Sequence, residues 1–293
     1  EPQSETVWRQ ATKYNVPRIA FINKMDRVGA DFHAAIKSMK DRLNTKPLPL
    51  VLPIGSGEDF HGVIDLIRMK AIQYNESTQG ADFEYIDIPA DLVSEANKYR
   101  NFLVEEVSTY DATLMEKYVN EEKISSEEIV SALKQGCLEN AFVPTLCGSA
   151  FKNKGVQRLL DAVVAFLPSP FDIDSTEASL VDNPEEKINI KNSNDAPFTA
   201  LAFKIATDPF VGRLTYLRVY SGSLKKGSFC INSNTGKKER ISRILQMHAN
   251  KREELQEVKA GEIVAVIGLK NTKTGHTLSE KGDIVLESME FPE

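Results

Sequence analysis

Three polar residues stand directly after a short apolar segment, where a ligand could reach them. Residues 16–22 are mostly apolar and predict a buried strand of a parallel sheet, and Asn23, Lys24 and Asp26 follow that segment. Ligands of open α/β sheets bind at the carboxyl ends of the strands. The three side chains are therefore candidates for contact with a ligand.

The chemistry of these side chains suits guanine. The carboxylate of Asp26 can accept hydrogen bonds from N1–H and from the exocyclic amine of guanine, whereas adenine offers neither donor there. A site built around a required hydrogen bond rejects the analogue that lacks it by about 10⁴–10⁵-fold. The stem of Lys24 can cover the purine face, and the amide of Asn23 can bond the ring or tie loops together. The competing interpretation is a polar turn with Asp26 near the N-cap of the next helix.

A second loop of the required kind follows a second predicted strand. Residues 141–147 form another apolar segment, which continues into Gly148 and then into Ser149, Ala150 and Phe151. Small residues let the backbone itself approach a base, so N–H groups of this loop can donate to O6 of guanine. Helical spacing and then prolines follow the loop, as expected for a strand, loop and helix. Both loops together favour a guanine site.

The sequence contains no phosphate-binding pattern of the type Gly-x-x-x-x-Gly-Lys-Ser/Thr. Residues 222–228 come nearest, but they lack the lysine after the second glycine and predict a hairpin turn. No Asp-x-x-Gly segment precedes Asn23 to hold magnesium and a γ-phosphate. We therefore expect an internal piece of a larger protein, with no catalytic residues of its own.

Composition indicates a globular chain with more than one domain. The 293 residues are 41% hydrophobic and 27% charged, with a formal net charge of −6. No apolar stretch approaches the ~18 residues of a membrane span and no signal-peptide pattern is present, so we expect a cytoplasmic chain without membrane contact. We also expect a monomer. Three cysteines without paired spacing predict reduced thiols, and four scattered histidines predict no metal-binding residues.

Charge is unevenly divided along the chain. Residues 197–293 carry a net charge of +4, and the preceding 196 residues carry −10. This difference suggests different partners for the two parts, although solubilising surface charge explains it equally.

The order of apolar segments predicts an α/β sheet with an α+β insert, followed by an all-β barrel. Residues 1–43 and 138–174 would form part of the sheet domain, and residues 44–137 an inserted subdomain, because about 90 residues are too many for a plain loop. Residues 168–197 predict a linker with a polar surface strand, and residues 175–293 the barrel.

Within the insert, an extended segment is predicted at 47–54, strands at 60–66 and 69–74, and helices at 89–111, 113–119 and 129–137. The acidic side chains of these helices form a solvated face or dock a basic protein partner.

Six short strands predict the barrel, and turn residues separate them. The strands are expected at residues 198–207, 212–221, 228–232, 237–247, 262–268 and 283–286. Residues 247–252 then leave the fourth strand as a basic loop, which either contacts RNA phosphate or is an ordinary surface loop.

Six segments of the sequence resemble the elongation factor G family of translational GTPases, and they extend over nearly the whole chain. They are EPQSETVW at 1–8, FINKMDR at 21–27, GVIDLIRMKA at 62–71, CGSAFKNKGV at 147–156, LAFKIATDPFVG at 201–212 and QMHANKREE at 246–254. The resemblance implies a partial P-loop GTPase domain, with the insert that this family calls G′, followed by a barrel of the translation-factor domain II type.

The resemblance also implies ligands and partners. GTP or GDP would be held here through the guanine base only, with Mg²⁺ bound in the full-length protein. GTP hydrolysis would drive movement of tRNA and mRNA on the ribosome, while the insert contacts stalk proteins and domain II contacts small-subunit RNA. The phosphate loop, switch segments and catalytic histidine of the family would precede residue 1, and three further domains would follow residue 293.

Two other interpretations stay open. Release factor three and the ribosomal-protection proteins share the same core and barrel, although the insert sequence around Val63, Asp65 and Met69 favours elongation factor G. In a different class, the chain would be a ribosome-docking module that needs no nucleotide, which its affinity for guanine nucleotides would reveal.

The first prediction concerns this chain alone. Without a backbone cradle for the triphosphate, we expect calorimetry to show no GTP binding tighter than ~1 mM, or about 4 kcal/mol. Binding in the micromolar range would contradict the expectation that the phosphate-binding parts lie outside these 293 residues.

Overall fold

Two structural units follow each other along the chain. The computed structural model describes residues 2–173, 175–248 and 251–286, and the units are Glu1–Leu167 and Pro168–Glu293. Pro170 belongs to the second unit, where its ring lies close to Gly261. No helix within the described ranges is long and apolar enough to cross a membrane. All three cysteines are described, and each is buried with a free thiol.

The first unit is an α/β structure. Its helices are α1 (Pro2–Lys13), α2 (Phe32–Leu43), α3 (Val93–Ser108), α4 (Ala112–Val119), α5 (Ser126–Leu138) and α6 (Val156–Phe166). Its strands are β1 (Ala20–Ile22), β2 (Pro47–Pro49), β3 (Val51–Ile54), β4 (Gly62–Asp65), β5 (Lys70–Tyr74), β6 (Phe83–Ile86) and β7 (Val143–Cys147).

A parallel sheet in the order β1-β7-β2 carries the two predicted loops. Strand β2 is a correction, because it lies in the range 44–137 expected to form the insert yet pairs with β7. The sequence indicated an extended segment at 47–54 but placed all of it in the insert, and the structure tolerates the prolines of β2 because it is an edge strand. The sheet therefore extends beyond residue 43 before the chain enters the insert.

The insert continues directly from the parallel sheet. After β2, Leu50 donates its N–H to the carbonyl oxygen of Thr145 (2.9 Å), and the N–H of Leu66 donates to the carbonyl of Leu50 (3.0 Å). An antiparallel sheet β3-β4-β5-β6 follows, of which β6 was not expected from the sequence. Helix α5 begins with a capping box between Ser125 and Glu128. One hydrophobic cluster includes residues of both sheets and all the insert helices, so the insert is packed onto the sheet rather than tethered to it.

The second unit is antiparallel β structure, as expected from the sequence. Its strands are β8 (Ser175–Leu180), β9 (Lys187–Lys191), β10 (Thr199–Asp208), β11 (Gly212–Ser221), β12 (Ser223–Lys225), β13 (Phe229–Asn232), β14 (Lys237–Arg240), β15 (Arg243–His248), β16 (Lys251–Leu255), β17 (Glu257–Lys259), β18 (Ile263–Ile267), β19 (Thr277–Ser279) and β20 (Ile284–Leu286). Eight of them form a sheet in the order β14-β13-β19-β10-β11-β18-β15-β16, around its own apolar core.

Three expectations for this unit need correction. Residues 168–197, expected to form a linker with one polar surface strand, contain the two strands β8 and β9. Strand β8 pairs with β9 and also with β20, a long-range partner that local composition does not indicate. The long strand expected at 237–247 is two strands, because β14 pairs with β13 whereas β15 pairs with β18. The basic loop expected at 247–252 lies within the β15–β16 hairpin, and its Ala249 and Asn250 lie outside the described residues.

The second prediction concerns the relative stability of the two units. Strand β1 pairs on one side only within the described chain, and its three residues are half-buried. Leu217 and Val264 instead lie in paired strands of the second core, where both side chains are buried. We expect hydrogen exchange to protect Phe203, Leu217, Val219 and Val264 more strongly than Ile19, Phe21 and Val143. The reverse order would show that the parallel sheet is the more stable structure.

Candidate functional site

The two predicted loops lie side by side because their strands are neighbours. Strands β1 and β7 are parallel, and their register pairs Ile22 with Cys147, the last residue of each strand. The loops are then joined through the backbone: Gly148 donates its N–H to the carbonyl of Ile22, and Met25 donates to the carbonyl of Gly148, both at 3.0 Å. The sheet thus places both loops at one edge, as the sequence indicated.

Gly148 is required where the second loop begins. A Cβ at this position would overlap the carbonyl oxygen of Lys154 and would lie 2.8 Å from the ring of Phe21. The loop closes tightly above it, because Ser149 and Lys154 exchange backbone hydrogen bonds of 2.9 and 3.0 Å. Glycine therefore allows the loop to fold back over the end of β1.

Asn23 ties the two loops together through its side chain. Its Oδ1 accepts the N–H of Ala150 at 2.9 Å and the N–H of Lys24 at 2.8 Å. Of the two roles left open by the sequence, the structure therefore shows the tie between loops. This tie holds Lys24 in a left-handed conformation with φ of +62°.

Asp26 presents an ionised carboxylate next to the second loop. A hydrogen bond from the hydroxyl of Ser149 is the main cause that lowers the pKa of Asp26, with smaller contributions from its own backbone N–H and the charges of Lys152 and Arg27. Partial desolvation acts in the opposite direction. The carboxylate stays partly exposed, whereas Ser149 is fully buried. Asp26 is thus a partly exposed hydrogen-bond acceptor beside the second loop.

The remaining predicted residues are exposed. Lys24 and Ala150 are accessible to solvent, and the ring of Phe151 is 94% exposed. Ala150 uses its N–H for Asn23, and Lys152 donates its N–H to the hydroxyl of Ser149 at 3.3 Å. The structure therefore brings all six predicted residues to one edge of the sheet, where five are at least partly exposed and Ser149 is buried. Within the described residues, no group of three or more His, Cys, Asp or Glu side chains could hold a metal ion.

The sequence analysis missed the contacts that the insert makes with both loops. Gly57 of the insert donates its N–H to the carbonyl of Met25 at 2.8 Å, and Lys154 reaches from the second loop into the insert. The available signal was the pair of glycines at 55 and 57, whose positive φ values mark a tight turn. A long-range contact of this kind has no periodic pattern that could reveal it.

Comparisons with known proteins agree with this architecture. The family model of the elongation factor Tu GTP binding domain matches residues 1–169, and the model of elongation factor G domain 2 matches residues 197–281. The chain therefore belongs to the translational GTPase family, with an elongation factor Tu-type GTP-binding domain followed by an elongation factor G-type domain 2.

A solved structure supports the same arrangement. A protein from Thermus thermophilus whose crystal structure is known shares 25% sequence identity with this chain. The two structures align over 99% of this chain with a TM-score of 0.76. The chain spans 38% of the length of that protein.

The third prediction tests the contact between Ser149 and Asp26. Ser149→Ala removes the hydroxyl, so we expect the pKa of Asp26 to rise toward its ordinary value. Because the folded pKa is depressed, the hydrogen bond stabilises the fold above the ordinary aspartate pKa of about 3.9, and this contribution is lost as the pH falls through the folded pKa.

The measurement is a carboxyl NMR titration of the wild type and the variant. Asp87 serves as the internal control, because a hydrogen bond from Lys70 lowers its pKa independently of this loop. An unchanged pKa of Asp26 in the variant would show that Ser149 does not hold this carboxylate.

Proposed function

We propose that the loops after β1 and β7 bind the guanine base of GTP or GDP. In this proposal Asp26 accepts from N1–H and the exocyclic amine, and the aliphatic stem of Lys24 covers the purine face. The loop Ser149, Ala150 and Phe151 would close the pocket beside O6. The N–H groups of Ser149 and Ala150 already donate to Lys154 and Asn23, so the N–H of Phe151 is the group that would donate to O6. The GTP-binding family of the chain supports a guanine nucleotide as the ligand.

One observation favours this proposal over the alternative of a polar turn with Asp26 near a helix N-cap. The Asn23 side chain joins residues 127 positions apart in the chain by a single hydrogen bond of 2.9 Å to Ala150. A helix cap needs no such cross-link, whereas a base site needs two loops at a constant separation. The lowered pKa of Asp26 agrees, because a base with two donors requires an ionised acceptor.

We further propose that the chain is part of a bacterial elongation factor G, which hydrolyses GTP to move tRNA and mRNA on the ribosome. The domain 2 match at residues 197–281 and the six sequence segments support this choice. The span of 38% of the solved relative supports a longer parent protein, which would supply phosphate binding, Mg²⁺ and catalysis. The chain alone would then be inactive.

The proposed partners follow from the same assignment. The insert, residues 44–137 in the sequence analysis and starting at β3 in the structure, would contact stalk proteins of the ribosome. The unit that follows would contact small-subunit RNA as domain II. Release factor three or a ribosomal-protection protein is the alternative within the family, and a nucleotide-free docking module is the alternative outside it.

The fourth prediction tests the base assignment in the longer protein that we propose. Asp26→Asn replaces an acceptor with an amide that can donate, which suits the C2 carbonyl of xanthine. We expect affinity for GDP to fall and affinity for xanthosine diphosphate to rise, with the preference between them changing by at least about a hundredfold.

Competition binding with both nucleotides measures this change. Asp41→Asn is the matched control, because Asp41 is an exposed aspartate of α2 away from both loops. If Asp26→Asn keeps the preference of the wild type, Asp26 does not read the base. If neither protein prefers guanine, the docking-module alternative is favoured instead.

A further inference from the structure

Lys154 is a charged residue that the proposed base contacts do not use, and it is almost completely buried. Its side chain is 2% exposed, and it stands at the end of the loop that begins at Ser149. Burial of an ammonium group is unfavourable unless the group is paired and hydrogen-bonded. Such a group therefore indicates that a specific arrangement is being held.

The partners of Lys154 both belong to the insert. Its Nζ donates to the carbonyl oxygen of Phe60 at 3.1 Å and to Oε1 of Glu76 at 2.8 Å. Glu76 is 74% exposed, and a hydrogen bond from Lys154 is the main cause that lowers its pKa. The ammonium thus joins the second loop (residues 148–154, called the base loop below) to two separate segments of the insert. One segment lies before β4 and the other between β5 and β6.

The insert also contacts the backbone of the same loop. A Cβ on Gly80 would lie 2.6 Å from the carbonyl oxygen of Asn153 and 2.8 Å from that of Lys152, so only glycine allows this approach. The carbonyl of Gly80 in turn accepts the side-chain amide of Gln157 at 3.0 Å. The turn formed by residues 75–80 therefore packs directly on the outer side of the base loop.

We propose that Lys154 is a positioning residue, which transmits the position of the insert turn at residues 75–80 to the base loop. Through its backbone pairing with Ser149, Lys154 fixes the hydroxyl of Ser149 against Asp26 and sets the position of the rest of the loop beside the base. The inference rests on the proposed guanine site for its functional meaning. It adds that nucleotide affinity depends on a part of the chain that never touches the nucleotide.

Stability of the fold alone does not account for this arrangement. Ion pairs with one exposed partner contribute little to stability, and a buried charge is on average no better than an apolar residue of the same volume. An ammonium with two acceptors instead provides geometric specificity, because its hydrogen bonds define where the base loop lies relative to both insert segments. The specific position of the loop is therefore the property that the pair controls.

Glu76→Gln is the variant that tests this role. Glu76 is exposed, so the substitution removes the charge without opening the core. Glu84→Gln is the matched control, because Glu84 is an exposed glutamate of the same insert sheet. The 293-residue chain is used without nucleotide, and two quantities are measured: amide exchange in the base loop and the pKa of Asp26.

We expect Glu76→Gln to speed exchange of the Lys152 and Lys154 amides by about tenfold, with Ile72 and Val264 unchanged. We also expect the pKa of Asp26 to rise, because the Ser149 hydroxyl is no longer held against it. The direction is diagnostic, since removal of a negative charge would by direct electrostatics lower the pKa of Asp26. Ser149→Ala combined with Glu76→Gln should raise the pKa no further than Ser149→Ala alone.

The inference is overturned if Glu76→Gln behaves like Glu84→Gln in both measurements, or if the pKa of Asp26 falls. A GDP titration followed through the Ala150 amide separates this result from the fate of the guanine site. Weaker GDP binding by Glu76→Gln than by Glu84→Gln supports both proposals. A different outcome is that Glu76→Gln speeds exchange in the base loop and raises the pKa of Asp26, while the wild-type chain does not respond to GDP at tens of millimolar. In that case Lys154 keeps its positioning role and the proposed guanine site is rejected.

Discussion

The parallel pairing of β1 with β7 is the contact on which the candidate site depends. It brings together loops that lie more than a hundred residues apart, and it sets their separation by the spacing of adjacent strands, about 4.8 Å. The Asn23 carboxamide can bridge to Ala150 only because that spacing is constant. If the pairing were lost, Asp26 and Ser149 would belong to two unrelated surface loops.

The chain between these loops contributes to the site instead of merely connecting its two halves. Closing a long loop has an entropic cost, which here is offset by apolar burial within a single core that includes β2, the insert sheet and the helices α3, α4 and α5. Because the same insert contacts the Met25 carbonyl through Gly57 and the second loop through Lys154, it limits the motion of both loops. An insert that folds in this way can influence the geometry of a site without providing a ligand contact.

The second unit is built on a different principle. Its core is formed by antiparallel strands and includes Leu217, Val219 and Val266, and it forms a hydrophobic cluster separate from that of the first unit. Each unit thus has the buried surface that an independent structure requires. Family membership agrees with this division, since the two family models match separate parts of the chain.

Sequence alone determined the class of the fold and selected the candidate site residues. Asn23, Lys24, Asp26 and the small residues at 148–150 are recognisable because strand, loop and side-chain chemistry are encoded within a few consecutive positions. The antiparallel character of the second unit was predictable for the same reason. The capping box of α5 is another local signal, because Ser125 and Glu128 form it within four consecutive positions.

Only the tertiary structure decided the features that depend on distant partners. The proline-rich β2 becomes a strand because β7 provides its hydrogen bonds, and β8 and β9 form a sheet with β20 from the other end of the unit. Likewise, nothing local distinguishes the buried Lys154 from the exposed Lys152 two positions earlier. The two lysines differ because packing of the insert removes water from one and leaves it around the other, and that outcome depends on contacts that no short segment of sequence contains.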